Sequence, residues 1–215
     1  MRYLYIDTSS SFLYSGIVED NNLLATISEQ MDNDLSRITL AKISEMFESA
    51  NLKPNDIDKI IVVNGPGSFT GIRVGITIAK TYAWGLNKDI TTISSLEAMS
   101  TSVDTDKLKV PMIDARRNYV YAQVFDEEKV IVKGSHIKLD ELLNKIKELG
   151  KDACVITNDE LEVPYEIKEY KPDILKIVEK YKDREKINPH SVNPDYLKLT
   201  EAEEKNKKWL KKSKK

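Results

Sequence analysis

Two halves of the sequence predict the same order of secondary-structure elements, β-β-β-α-β-α. In the first half, short apolar runs predict strands at residues 3–8, 12–18, 23–28 and 59–63, and helical spacing of apolar residues predicts helices at 35–50 and 71–86. In the second half, the same patterns predict strands at 110–114, 119–125, 130–132 and 153–157 and helices at 139–149 and 172–182. Each half opens on an apolar strand that ends in Ile-Asp, at Asp7 and at Asp114. The repeat predicts a duplicated α/β lobe with a cleft between the two copies.

The length and composition are consistent with this organisation. A chain of 215 residues has room for two lobes of about 100 residues each. A polar stretch at residues 101–109 predicts the join, which gives lobes at 1–103 and 104–204 and a basic tail at 205–215. The hydrophobic share of 40% and the charged share of 32% exclude a chain that is disordered by composition or dominated by membrane spans. Because the sequence shows neither a run of about 18 apolar residues nor a signal peptide, we expect a cytoplasmic protein without membrane contact.

The few cysteine and histidine residues exclude two classes of site. Cys154 is the only cysteine, so the chain has no internal disulfide, and we expect this residue to be a small buried hydrophobe. His136 and His190 are the only histidines, which excludes a structural zinc site. The net charge is −2, but residues 205–215 contain seven lysines and no acid, so residues 1–204 carry −9. Such a lysine run predicts a solvated tail, and the alternative is phosphate contact with a nucleic acid.

The most distinctive segment is NGPGSFTGIRVG at residues 64–75, between a predicted strand and a predicted helix. Gly65 and Gly67 can adopt positive φ, and Thr70 is the predicted N-cap of a helix that starts at Gly71. A glycine turn followed by a helix N-terminus can bind an anion. The candidate anion loop therefore comprises Gly65, Gly67, Ser68 and Thr70. The segment has neither the Gly-Lys-Ser/Thr of a Walker A loop nor the GxGxxG of a dinucleotide site.

The helix after this turn carries a stripe of small residues. Gly71, Gly75, Ala79 and Ala83 recur every four residues, so one face of the helix has almost no side chains. Two glycines inside a helix cost about 1 kcal/mol each relative to alanine, and close packing must offset this cost. Either the chain's own sheet or neighbouring helix, or a partner's helix packed beside the 35–50 helix, could approach this face. The sequence leaves both possibilities open.

Asp7, Thr8 and Asp114 complete the candidate anion or nucleotide loop at the predicted cleft. A pair of carboxylates there could hold a metal ion, but no third carboxylate or histidine ends a matching strand. We therefore favour an aspartate that accepts hydrogen bonds from loop amides, and we assign no metal site and no catalytic residue. Arg73, in the first turn of the second helix, faces the unfavourable end of the helix dipole. We expect it to pair with an acid in this chain or in a partner.

Several strings of the sequence are similar to those of one protein family. GPGSFTGIRVG, AKTYAWGL and ISSLEAMS, with LYIDTSS near the start, IDARRNYVYAQVF in the middle and NPDYLK near the end, resemble the TsaB (YeaZ) family. The resemblance implies a duplicated ASKHA fold of the actin and Hsp70 type, built of two ribonuclease H-like lobes of which the second is degenerate. It also implies a non-catalytic accessory role in placing threonylcarbamoyl on the adenosine beside the anticodon of tRNAs that read codons beginning with A.

The same resemblance implies partners. They are the TsaD and TsaE subunits, which would hold the ATP and the metal, while this chain would hold no cofactor of its own and would form a homodimer when alone. Contact with tRNA would be weak or indirect. The implied partner-binding face lies on the helices predicted at 35–50 and 71–86 and comprises Leu35, Ile38, Ile43, Met46, Gly71, Ile72, Gly75, Ala79, Tyr82 and Ala83.

Two other functions stay open from the sequence. An ATPase or phosphotransferase of the same fold would use the cleft between Asp7 and Asp114 and the turn from Gly65 to Thr70. The loops after the first strand of each lobe, DTSS and DARR, lack the glycines that a nucleotide clamp uses, which argues against this alternative. A tRNA-binding module would use the lysine tail at 205–215.

Overall fold

The computed structural model describes residues 1–31 and 35–198, without the side chain of Leu35. The basic tail predicted at 205–215 therefore lies outside the described residues. No helix within the described ranges is long and apolar enough to cross a bilayer.

The described chain forms ten strands and five α-helices. The first half contains β1 (Arg2–Asp7), β2 (Phe12–Glu19), β3 (Asn22–Gln30), α1 (Leu35–Ser49), β4 (Lys59–Val63), α2 (Phe69–Gly85), β5 (Asp89–Ile93) and α3 (Ser95–Thr101). The second half contains β6 (Leu108–Asp114), β7 (Tyr119–Asp126), β8 (Lys129–Lys138), α4 (Leu139–Glu148), β9 (Ala153–Thr157), β10 (Glu166–Glu169) and α5 (Ile174–Tyr181). Short 3-10 turns lie at Pro54–Asp56 and Pro189–Ser191.

The strands form two five-stranded sheets of the same topology. In the first, β3-β2-β1-β4-β5, the antiparallel meander of β1 to β3 is extended by β4 and β5, which run parallel to β1. In the second, β8-β7-β6-β9-β10, the meander of β6 to β8 is extended by β9 and β10, which run parallel to β6. Every strand has a counterpart at the same place in the other sheet, which confirms the predicted duplication. The second copy is the reduced one, because no helix corresponding to α2 lies between β9 and β10 in the described chain.

Strands β5 and β10 are absent from the predicted order β-β-β-α-β-α, which is therefore incomplete in both halves. β5 has the sequence DITTI, in which two threonines interrupt a short apolar run, and it begins soon after α2 ends. β10 has the sequence EIKE at a sheet edge, where charged residues hide the apolar pattern. The strand predicted at 130–132 extends over Lys129–Lys138.

The two sheets are joined by helices that cross between the halves. α3 packs against β6, β7 and β9, and α5 packs against β1, β2 and β3. Buried side chains of the first sheet, such as Tyr5 and Ile61, and of the second, such as Ile156, therefore belong to one apolar cluster with α3 and α5. Cys154 is buried in the same cluster, which confirms the prediction of a small buried hydrophobe.

The chain after α5 returns to the first sheet. Ile187 N donates to Ile90 O at 2.8 Å, and Asp195 N donates to Asn64 O at 2.7 Å. Residues 103 and 104, where the lobe boundary is predicted, lie between α3 and β6. Packing between the two halves extends beyond this point. Residues 174–198, assigned by sequence to the second lobe, pack with the first sheet because α5 and the segment after it cross back.

Candidate functional site

The glycine-rich turn lies directly on the loop that follows β1. Ser68 N donates to Ser9 O at 2.7 Å, and Thr8 Oγ1 donates to Gly71 O at 2.7 Å. A Cβ atom at Gly67 would lie 2.1 Å from Ser9 O, and one at Gly71 would lie 2.0 Å from Thr8 O. Because no side chain tolerates such an approach to a backbone oxygen, only glycine allows this contact. The glycines of the turn bring two loops of the same chain together.

The start of α2 differs from the prediction by a few residues. Gly65 and Gly67 have φ of +113° and +150°, which confirms the predicted positive φ at both positions. The N-cap of α2 is Ser68, whose Oγ accepts a hydrogen bond from Gly71 N at 3.2 Å. The predicted cap at Thr70 is wrong, because Thr70 lies inside the first turn with its side chain exposed. Serine and threonine are both good caps, so residue type alone does not choose between these positions.

Two further segments of the chain hold the same turn. Ser95, at the start of α3, donates from its N to Gly65 O at 2.9 Å and from its Oγ to Pro66 O at 2.5 Å. A Cβ atom at Gly65 would lie 2.8 Å from Asp195 O, so the segment after α5 covers another side of the turn. The candidate anion loop is therefore packed against its own chain on these sides, while Gly67 and Ser68 line the cleft between the two sheets.

The small-residue stripe of α2 faces the first sheet of the same chain. Its members, all buried, are Gly71, Gly75, Ala79 and Ala83. A Cβ atom at Gly75 would lie 2.4 Å from Thr8 Oγ1 and 3.6 Å from Cγ2 of Ile6 in β1. Of the two possibilities that the sequence leaves open, the structure shows packing on the chain's own sheet.

The predicted partner-binding face turns inward for the same reason. Seven of its ten residues are buried in the chain's own core, namely Ile43, Met46, Gly71, Ile72, Gly75, Ala79 and Ala83. Ile38 and Tyr82 are half-buried, and the side chain of Leu35 is outside the description. The prediction is wrong for the buried residues, which stabilise the fold and present no surface to a partner. The outer faces of the same two helices expose Leu40 by 53% on α1 and Trp84 by 68% on α2.

Asp7, at the end of β1, is buried below the cleft with 1% of its surface exposed. Its Oδ1 accepts hydrogen bonds from Ser9 N at 2.8 Å and Ser9 Oγ at 2.7 Å. Its Oδ2 accepts from the hydroxyl of Tyr5 at 3.3 Å and from that of Tyr170 at 3.5 Å. The bond from Ser9 N confirms the favoured prediction that Asp7 accepts from a loop amide. Tyr170 comes from the second half, and no local sequence pattern indicates this contact.

The buried cluster shifts the titration of all three groups. Burial raises the pKa of the Asp7 carboxyl, and the hydrogen bonds from Ser9 and the two tyrosines only partly oppose this effect. Burial, together with the negative charge of Asp7, raises the pKa of Tyr5 and of Tyr170 well above the usual value. Burial therefore makes the charged form of Asp7 less favourable than it is in water.

We expect Asp7→Asn to flatten part of the pH dependence of stability. A carboxyl whose folded pKa is raised favours the folded state below its unfolded pKa, and this contribution is lost as the pH rises through the folded pKa. Asparagine has nearly the same shape, keeps an acceptor for Ser9 and does not titrate. The free energy of unfolding in urea, measured from about pH 4 to about pH 7, should fall more with rising pH in the wild-type chain than in the variant. Equal slopes in the two proteins would contradict a raised pKa at Asp7.

The cleft between the two sheets has a volume of about 570 Å³. Tyr170 lines it, but Asp7 below does not, whereas Asp114 is exposed at its edge. Asp114 Oδ1 accepts from Arg116 N at 2.9 Å, and Asp114 N donates to Asp159 Oδ2 at 2.7 Å. The structure thus does not bring Asp7 and Asp114 together as an open carboxylate pair. In the part of the chain that is described, no group of three His, Cys, Asp or Glu side chains is arranged to hold a metal ion.

Arg73 has aromatic partners in place of the acid that the sequence predicts. Its guanidinium lies over the ring of Phe69, 3.8 Å from the centroid, and its Nε donates to Tyr196 OH at 2.8 Å. The rings of Phe69 and Tyr196 stack with centroids 5.2 Å apart. Within the described chain, a cation–π contact therefore takes the place of the expected ion pair, and pairing with an acid of a partner stays a prediction. The sequence signal that could have indicated this cluster is the string NPDYLK, which contains Tyr196.

Comparison with known sequences gives one consistent result. A sequence model of the family described as TsaD, tRNA N6-adenosine threonylcarbamoyltransferase, matches residues 18–204. The tRNA threonylcarbamoyladenosine biosynthesis protein TsaB of Bacillus subtilis is 28% identical over 228 residues, which cover 98% of each chain. The protein of the same description from Haemophilus influenzae is 36% identical over 138 residues, which cover 60% of this chain and 56% of that protein.

Solved structures share the fold. YeaZ from Pseudomonas aeruginosa superposes with a TM-score of 0.73 at 18% sequence identity, covering 91% of this chain and 99% of that chain. Another Pseudomonas aeruginosa protein, described as similar to peptidase YEAZ, gives a TM-score of 0.78 at 17% identity, covering 92% of this chain and 99% of that chain. With its two sheets of equal strand order, the chain has the duplicated actin-like ASKHA fold that the sequence predicts.

Proposed function

Because the chain belongs to the family of TsaD, tRNA N6-adenosine threonylcarbamoyltransferase, and resembles TsaB (YeaZ) proteins over its whole length, we propose that it is a non-catalytic subunit in the biosynthesis of threonylcarbamoyladenosine in tRNA. Its role is to bind the TsaD subunit, which carries out the transfer. ATP and metal are held by TsaD and by TsaE, which binds beside the joined subunits. Any contact with tRNA is weak or indirect.

The closed environment of Asp7 is the observation that carries the non-catalytic role. In a working clamp of this fold, the end of the first strand and the loop after it must be open to phosphate and metal. Here the carboxylate of Asp7 is buried and accepts four hydrogen bonds from its own chain. Thr8 is buried against the glycine turn, and of this loop it is Ser9 and the residues after it that reach the wall of the cleft. These contacts support the proposal that the fold serves to bind a partner and does not catalyse a reaction.

The outer faces of α1 and α2 support the binding role. α1 packs against α2, and their exposed sides carry Leu40 and Trp84, which are among the more exposed large apolar side chains of the described chain. Because the TsaD family model matches residues 18–204 of this chain, TsaD has elements that correspond to α1 and α2. We propose that the two corresponding helix pairs pack together as a four-helix bundle. An unpaired face of this kind also predicts that the isolated chain forms a homodimer.

The test is complex formation with TsaD from the same organism, followed by light scattering and by titration. We expect the wild-type chain to exchange from a homodimer into a 1:1 complex. We expect Leu40→Glu to weaken that complex about tenfold or more, since it places a charge in an apolar contact. Glutamate is a good helix former, so the variant should fold.

Leu149→Glu is the matched control. Leu149 follows α4 in the second half and is 38% exposed, so the same chemical change there should leave binding to TsaD within about twofold of wild type. Two results would overturn the proposal: a wild-type chain that ignores TsaD, or equal losses in the two variants. Tight binding of Mg-ATP by the isolated chain would instead favour the phosphotransferase alternative at the cleft.

A further inference from the structure

A groove of about 650 Å³ runs along the outer side of α2. One wall is α2 from Arg73 to Trp84, and the other is the segment after α5, from Pro189 to Tyr196. The 12 residues of α2 from Arg73 to Trp84 span about 18 Å, which matches a partner helix of about three turns. The groove lies on the first half of the molecule and is separate from the cleft between the sheets.

The two walls are tied together by hydrogen bonds. Lys80 Nζ donates to His190 O at 3.3 Å and to Val192 O at 3.0 Å. At the other end, Arg73 Nε donates to Tyr196 OH at 2.8 Å. Because these bonds are made within the chain, the groove exists before any ligand binds, which lowers the entropic cost of binding.

The chemistry of the groove is cationic and aromatic. Arg73 and Lys80 line it, and among the described residues of its lining none is Asp or Glu. This is unusual for a chain in which residues 1–204 carry −9. Trp84 and Tyr196 also line the groove and expose 68% and 40% of their surfaces. Large aromatic side chains beside a cation are typical anchors of a protein interface.

We propose that this groove binds an acidic amphipathic segment of a partner protein. The apolar side chains of the segment pack on Trp84 and on the Phe69–Tyr196 stack, and its carboxylates lie near Arg73. Trp84 also belongs to the exposed side of α2 that we propose for TsaD, so the two surfaces overlap. The peptide test below uses neither TsaD nor Leu40, so a failure of this proposal is distinguishable from a failure of the proposed function.

Other occupants fit the groove less well. The chain's own residues 205–215 contain seven lysines and no acid, so they would be repelled by Arg73 and Lys80. Single-stranded nucleic acid needs a track of free cations along its phosphates. Arg73 and Lys80 are the two Lys or Arg side chains of the described lining, and Lys80 is directed to two carbonyl oxygens, so the groove offers no such track.

The test uses the full chain with Trp209→Phe, which leaves Trp84 as its single tryptophan. The probes are a synthetic helical peptide with leucines on one face and glutamates on the other, the same peptide with lysines for glutamates, and an oligouridine RNA. We expect the glutamate peptide to change the fluorescence of Trp84 with a Kd in the range of about 1 to 100 μM, weaker at high salt. The lysine peptide and the RNA should bind at least about tenfold more weakly.

Thr77→Glu and Thr70→Glu form the matched pair of variants. Both residues are exposed on α2, but Thr77 lines the groove and Thr70 does not. We expect Thr77→Glu to weaken the glutamate peptide about tenfold and Thr70→Glu to leave it within about twofold. The proposal is overturned if neither peptide binds, if both variants lose binding equally, or if the RNA binds more tightly than the glutamate peptide. If the chain self-associates, and Thr77→Glu but not Thr70→Glu abolishes that self-association, the groove binds a second copy of the chain and the proposal of an acidic segment is overturned.

Discussion

The Gly71→Ala variant should lose its native structure, with a free energy of unfolding lower by about 4 kcal/mol or more. An added Cβ would lie 2.0 Å from Thr8 O, and this neighbour is a backbone atom of the loop after β1. Relief would require separating α2 from that loop, which also breaks the bonds of the turn to Thr8 and Ser9. Since domains of this size are stable by about 5–15 kcal/mol, such a loss removes much of the total.

Gly85→Ala is the matched control for this prediction. Gly85 is the last residue of the same helix, and a Cβ there would meet nothing within 4 Å. Alanine should therefore leave stability unchanged or raise it by up to about 1 kcal/mol through helix propensity. Urea unfolding followed by circular dichroism measures both variants. If Gly71→Ala costs less than about 1 kcal/mol, the tight contact between the turn and the loop is not required for folding.

Gly75 allows a finer test of the same packing. Its added Cβ would lie 2.4 Å from Thr8 Oγ1, an atom that a substitution can remove. Thr8→Ala should therefore recover part of the stability lost in Gly75→Ala, and it should recover none of the loss in Gly71→Ala. For the same reason, a bulky residue on this stripe is not a test of partner binding, because the substitution would unfold the chain before any partner is added.

Local patterns predict most elements of this fold. The runs at β1, β4 and β9 are continuous and buried, and α4 and α5 have apolar residues at helical spacing, so their type is readable from a few neighbouring residues. The repeated order of predicted elements, together with the Ile-Asp pair that ends both β1 and β6, predicts the duplication. The apolar pattern does not predict β5 and β10, because backbone hydrogen bonds, which do not depend on apolar side chains, pair these strands in the sheets.

The site depends on contacts that local patterns do not contain. A stripe of small residues predicts a close neighbour but not which neighbour, and Thr8 lies 63 residues before Gly71 in sequence. Tyr170 reaches Asp7 across a separation of 163 residues. Long-range contacts of this kind decide whether a face is buried or free. This is why seven of the ten predicted partner-binding residues are found in the core, while exposed residues such as Leu40 lie on the outer side of the same helices.

Arg184 and Glu97 form the main charged link between the segment after α5 and the first half of the molecule. Arg184 Nη2 donates to Glu97 Oε1 at 2.7 Å, and its Nη1 donates to Glu97 Oε2 at 3.2 Å and to Thr92 O at 2.9 Å. The guanidinium also lies 4.5 Å from the ring centroid of Tyr181. Glu97 in turn accepts from Ser94 N at 2.8 Å and so caps α3. One arginine thus holds β5, α3 and α5 together.

The titration of Glu97 follows from these contacts. Burial alone would raise its pKa, but the hydrogen bonds from Arg184 and Ser94 N, with the positive charge of Arg184, bring the pKa below its usual value. A carboxyl with a lowered folded pKa stabilises the fold above its unfolded pKa, and this contribution is lost as the pH falls through the folded pKa. The contribution of the pair should therefore be full at neutral pH and decline in acid.

Arg184→Met should lower the free energy of unfolding by about 2–3 kcal/mol at pH 7, since it leaves Glu97 and Thr92 O without their donor. The side chains of Arg184 and Glu97 are 35% and 25% exposed, which places the loss below that of a fully buried pair. Arg184→Lys should fall between wild type and Arg184→Met, because lysine keeps the charge without the planar fork. Urea unfolding measures all three proteins, and the gap between wild type and Arg184→Met should narrow from about pH 7 to about pH 4.

Lys186→Met is the control variant for Arg184→Met. Lys186 lies two residues further along the same segment and forms an ion pair with Asp89 of β5 at 3.1 Å, with the two side chains 69% and 49% exposed. Exposed pairs contribute little, so its loss should cost less than about 0.5 kcal/mol at any pH. Equal costs for the two variants would mean that charge alone tethers the segment after α5. A cost confined to Arg184→Met would mean that the bidentate, partly buried geometry of the Arg184–Glu97 pair tethers the segment after α5 to the first sheet.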